Sequence, residues 1–78
     1  MKLIRKTFTE YYTAANGDHA SITVRPDDSA ALIVCSPVNN TLVFRQEYKT
    51  RRGALIAMHK KFGKCKFLHM TATFTKVC

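Results

Sequence analysis

The dipeptide Asn16-Gly17 stands between two segments, 2–13 and 20–25, that are rich in Thr, Tyr, Ile and Val. Asn-Gly is the strongest short-range hairpin signal, because tight hairpin turns need backbone conformations that these two residues adopt at least cost. A hairpin needs a strand on each side. That settles segment 2–13, whose Ile4, Phe8, Tyr11 and Ala15 also fit a helical period, in favour of a strand. With a two-residue loop at Asn16-Gly17, Tyr11 is expected to face Ile22, and Thr9 to face Val24.

Further turn chemistry divides the rest of the chain. Arg25-Pro26-Asp27-Asp28-Ser29 and Ser36-Pro37-Val38-Asn39-Asn40 read as turns, and Phe62-Gly63-Lys64 reads as a helix end. In the strand of residues 20–25, Ile22 and Val24 share one face. The run 30–35 is apolar throughout, and its Cys35 reads as a buried free thiol. In 41–48, simple alternation puts Leu42, Phe44 and Tyr48 on one face and Arg45 and Glu47 on the other. In 66–75 it puts Leu68, Met70, Ala72 and Phe74 opposite Phe67, His69 and the threonines. One segment has helical spacing. Thr50 is a suitable N-cap, and Leu55, Met58 and Phe62 form an apolar stripe with Ala54 beside it. The expected fold is α+β, a small two-layer domain spanning 1–78, with one helix packed on one face of an antiparallel sheet in the order β-β-β-β-α-β.

A composition of 46% hydrophobic and 23% charged residues in 78 suits one small folded domain rather than a disordered chain. The opening Met1-Lys2-Leu3-Ile4-Arg5-Lys6 lacks the apolar run of a secretory signal, and three cysteines cannot pair completely. No apolar run is long enough for a membrane helix. A reduced, cytoplasmic protein with no membrane partner is therefore expected.

Charge is unevenly distributed. Residues 1–47 carry five Lys and Arg against five Asp and Glu, whereas residues 48–78 carry eight Lys and Arg and no acid, so the whole net charge of +8 lies in the second segment. Such self-repulsion points to a polyanion or an acidic partner. At 100° per residue Arg52, Ile56 and Lys60 stack on a face away from the apolar stripe, flanked by Arg51 and Lys61. The candidate binding residues are Arg51, Arg52, Ile56, Lys60, Lys61, Lys64 and Lys66. They would contact nucleic acid, an acidic protein surface or a nucleoprotein complex. Phe67, Tyr11 and Tyr12 are candidates for base stacking, set against the commoner role of strand aromatics as core.

Other chemistry has less support. His59, Cys65 and His69, with Cys35 or Cys78, lack the close Cys pairs of structural zinc sites, and lysines crowd them, so no metal or other cofactor is expected. The five acids form no convincing catalytic pair, and no phosphate-cradling Gly-rich loop is present, so the expectation is a non-enzymatic binding protein. The enzyme alternative is a small ribonuclease toxin with His19 or His69 as general base. In size, lone helix and lopsided charge the chain resembles the small accessory proteins encoded by phages and mobile elements. That group includes anti-CRISPR inhibitors, so the resemblance implies an alternative function as an inhibitor that binds a host protein complex. It rests on no motif and assigns no role to any residue.

Overall fold

The computed structural model describes the backbone of residues 3–77 and the side chains of residues 6–72. The elements are β1 (Leu3–Thr13), β2 (His19–Val24), β3 (Ala30–Cys35), β4 (Leu42–Tyr48), α1 (Arg51–Phe62) and β5 (Lys66–Val77). The strands form one sheet in the order β4-β3-β2-β1-β5, with every neighbouring pair antiparallel. β1 to β4 make the meander that the turn signals predict. The chain then crosses the sheet through α1 and adds β5 at the far edge, beside β1. This is the expected α+β, two-layer arrangement.

The first hairpin uses a longer loop than a two-residue turn. Ala14 N–H donates to Asp18 O, Gly17 N–H donates to Ala14 O, and Gly17 takes a φ of 93°. This is a three-residue loop with glycine at the left-handed position. The register moves by one residue as a result: Tyr11 faces Ser21, Glu10 faces Ile22, and Phe8 faces Val24. The β2–β3 loop repeats the pattern, with Arg25 N–H bonded to Ser29 O and Asp28 N–H to Arg25 O. Here Asp28 holds the left-handed position at a φ of 71°.

Two β-bulges break the simple alternation. In β5 Phe67 pairs with Tyr12 and His69 with Tyr11, so Leu68 and His69 together oppose one residue. Phe67 thereby joins Met70 and Ala72 on the helix side of the sheet, and Leu68 leaves it. In β4 Phe44 pairs with Val34 and Leu42 with Cys35. Leu42 therefore does not share the face of Phe44 and Tyr48. An extra residue in one strand reverses the parity of everything beyond it.

The helix packs on β2, β3 and β4. Thr50 caps it, its Oγ1 accepting from Gly53 N–H at 3.1 Å. Ala54 and Met58 are fully buried against Ile22, Leu32 and Val34. Leu55 and Phe62 are only half-buried, so the inward line runs through Ala54 and Met58 rather than centring on Leu55. Phe62 closes the far end with an edge-on contact to Phe44 at 5.9 Å between ring centres. Cys65 is buried and its thiol pKa is raised by that burial, whereas Cys35, expected in the core, is half-buried on the opposite side of the sheet. Cys78 lies outside the described residues. No helix among them is long and apolar enough to cross a membrane.

Met58→Ala should therefore lower unfolding free energy by about 2–5 kcal/mol, and Leu55→Ala by a smaller amount, in urea denaturation. Asp28→Gly should raise stability by up to about 1 kcal/mol, because glycine holds the left-handed conformation without the Cβ penalty. A loss on that substitution would show that the Asp28 side chain contributes more than its backbone strain costs.

Candidate basic surface

Apart from Lys76, whose side chain lies outside the described residues, the cations of the second segment separate into two groups at opposite ends of α1. At its start, Arg51 turns inward. Its Nη2 donates to Glu10 Oε2 at 2.8 Å and its Nε donates to Glu10 Oε1, a two-pronged ion pair that ties the helix to β1. Glu10 lies on the helix side of β1, between Phe8 and Tyr12, and is only 8% exposed. The hydrogen bonds that Arg51 donates to Glu10 raise its pKa above the ordinary value. Burial, then the charge of Glu10, raises the Tyr12 phenol.

The first helical turn contains no acid. Two arginines therefore face the positive end of the helix dipole, where a cation costs about 0.3–1 kcal/mol. Glu10 relieves this for Arg51. Arg52 is exposed, and no salt bridge to it occurs among the described residues.

Beside this turn opens a cleft of about 630 Å³, lined by Lys6, Phe8, Arg25, Asp28, Arg51 and Arg52 among others. Arg25 already holds Glu47 at 2.7 Å. The lining combines the apolar Phe8, Val24 and Pro26 with the four cations and the carboxylate of Asp28. Its shape and charge suit an anionic group with an apolar or aromatic attachment.

Along the outer face of α1, Arg52, Ile56 and Lys60 are all exposed, as the helical spacing predicts, with Ile56 at 57%. The rise from Arg52 to Lys60 is about 12 Å. Lys60 and Lys61 lie in the last helical turn, where the dipole favours cations. Lys61 also places its ammonium 4.9 Å from the centre of the Phe44 ring. Lys64 and Lys66 are exposed in the crossover and at the start of β5. Of the seven candidate residues, Arg52, Ile56 and Lys60 share the outer face of α1, Arg51 is committed to Glu10, Lys61 lies over Phe44, and Lys64 and Lys66 follow in the crossover and at the start of β5. β5 itself is uncharged from Phe67 to Thr75.

The histidines lie elsewhere. His69 stacks on Tyr11 at 4.6 Å between ring centres, on the sheet face away from the helix. His19, opposite Cys35, borders a shallow depression of about 160 Å³ on that same face. His59 is exposed on α1, its Nδ1 3.4 Å from Gly63 O. No three His, Cys, Asp or Glu side chains among the described residues converge on a point that could hold a metal ion. Of the stacking candidates, Tyr12 is buried, Tyr11 is covered by His69, and Phe67 is half-exposed beside Tyr12.

Sequence spacing does not single out Lys6, Phe8, Arg25 or Glu10 as part of this surface. For Glu10 a local signal exists: it interrupts the inward alternation of Phe8, Tyr12 and Ala14. Comparison with models of known protein families, with curated proteins and with solved structures finds no match.

Glu10→Gln keeps the side-chain shape and removes the charge. Because Arg51 is partly solvated, the loss should be about 1–2 kcal/mol in urea denaturation. No change would show that the ion pair contributes nothing net to the attachment of α1.

Proposed function

We propose that the protein is a non-enzymatic binding module that contacts nucleic acid, or a complex containing it, through the outer face of α1 and the crossover into β5. The supporting observation is the row of exposed Arg52, Lys60, Lys64 and Lys66, with no salt bridge to any of them among the described residues. Cations held this way displace the counterions condensed on nucleic-acid phosphates, and that release drives association. The spacing also suits an extended ligand. Arg52 and Lys60 can grip phosphates at separate points of one strand, and the cleft beside Arg52 can take a phosphate with its attached sugar or base. No base-reading pattern accompanies the cations, so the contact is with the backbone rather than with sequence.

A second reading draws on Ile56. It stands half-uncovered between two cations, and a solvated phosphate clamp has no use for it. A partner protein with an acidic, partly apolar surface would, as in inhibitors that dock on a host nucleoprotein complex.

Arg52→Glu with Lys60→Glu should leave the circular-dichroism melt unchanged, since neither side chain is in the core. It should weaken binding to labelled single-stranded DNA or RNA by roughly a hundredfold or more. Unchanged binding by the folded double variant would remove the helix from the contact. Ile56→Ala separates the two readings: a phosphate clamp should lose less than about twofold, and a protein interface centred there more than about fivefold.

A further inference from the structure

We infer that two copies of this chain pair through the outer edge of β5, antiparallel about a two-fold axis within residues 67–75. Among the described residues β5 ends the sheet, with β1 as its one neighbouring strand. Its other edge offers the outward-facing N–H and C=O groups of a strand of 12 residues. Natural proteins usually blunt such an edge with charge, proline or shortness. The β4 edge follows that rule: it is shorter and carries Arg45 and Glu47. The β5 edge departs from it. Residues 67–75, Phe-Leu-His-Met-Thr-Ala-Thr-Phe-Thr, contain no Lys, Arg, Asp, Glu or Pro. Its protective devices stand at its ends: Lys66 and the bulge at Leu68 at one, Lys76 at the other.

Side-chain burial points the same way. Phe67 is 51% exposed and Met70 49%, both on the helix side of the sheet, where α1 covers β2, β3 and β4 but does not reach β5. Leu68 is half-exposed on the other face. These are apolar strand side chains that α1 does not cover.

The occupant follows from charge. In a chain of net charge +8, a long uncharged segment is the surface on which a second copy meets least repulsion. An isologous antiparallel pair sets this segment against itself, confines like charge at the join to Lys66 and Lys76 at its two ends, and leaves the cationic helices on β2–β4 of each copy. An acidic peptide would find its complementary charges on α1 and the crossover instead. Pairing would also bring Phe67 and Met70 of each copy against side chains of its mate, which removes apolar surface from water.

The inference does not rest on nucleic-acid binding, and its salt dependence has the opposite sign. Screening relieves repulsion between two cationic copies, so added salt should strengthen the dimer while it weakens any phosphate contact. Sedimentation equilibrium of the whole protein should give twice the 8.9 kDa chain mass, with the dimer favoured further as salt rises. Phe67→Lys with Met70→Lys should weaken association by roughly tenfold or more. Amide exchange on the unaltered protein should show protection of residues 67–75 that grows with protein concentration, a readout that stands even if the double variant fails to fold. A chain that remains monomeric up to roughly millimolar concentration, a dimer that survives in the folded double variant, or concentration-dependent protection confined to another element would each overturn the pairing.

Discussion

A single helix is too narrow for this sheet. Five strands about 4.8 Å apart make a surface wider than one helix of about 10 Å diameter can cover. α1 settles over β2, β3 and β4, where the small side chains of Ala20, Ala30 and Ala54 let it approach and Met58 fills the space among Ile22, Leu32 and Val34. The other features follow from that placement. Glu10 of β1 lies just beyond the covered zone, where it is buried yet reachable by Arg51 from the first helical turn. A cleft opens where the helix start, β1 and the β2–β3 turn come together without filling the corner. β5 lies outside the helix's shadow, and its Phe67, Leu68 and Met70 remain half-exposed.

Charge is distributed by the same geometry. Glu10 and Glu47, from the balanced part of the chain, each hold an arginine, Arg51 and Arg25. Asp27 serves its own turn: the hydroxyl and amide of Ser29 hold its carboxyl below the usual range. These acids lie away from the outer face of α1, so its positive charge is left to solvent, salt or a ligand. The first turn of α1 is the least favourable place for that charge, because the helix dipole opposes Arg52 there.

The order of elements was legible because it depends on local chemistry: turn residues at 16–17, 25–29 and 36–40, a capping Thr50 and a terminating Gly63. The exposed row of Arg52, Ile56 and Lys60 was legible because helical spacing determines which side chains share a face. Three features were not. The first hairpin gained a residue in its loop, since Gly17 rather than Asn16 carries the positive φ. The bulges at Leu68 and Val43 reversed strand parity, and a period of two cannot reveal where an extra residue will be inserted. The Glu10–Arg51 pair joins residues 41 positions apart. Its partner choice depends on how the helix lies over the sheet, which no local pattern encodes.

The account rests on the claim that the positive charge of α1 and the crossover faces outward to meet phosphates. Equilibrium binding of a labelled single strand across a salt series tests this most directly. With Arg51 held by Glu10, about five cations remain for contact, and log affinity for a single strand should fall with log salt at a slope of roughly −3.5. A slope near zero, or no binding at low salt, would contradict it and leave the charge as a solvated face of the helix.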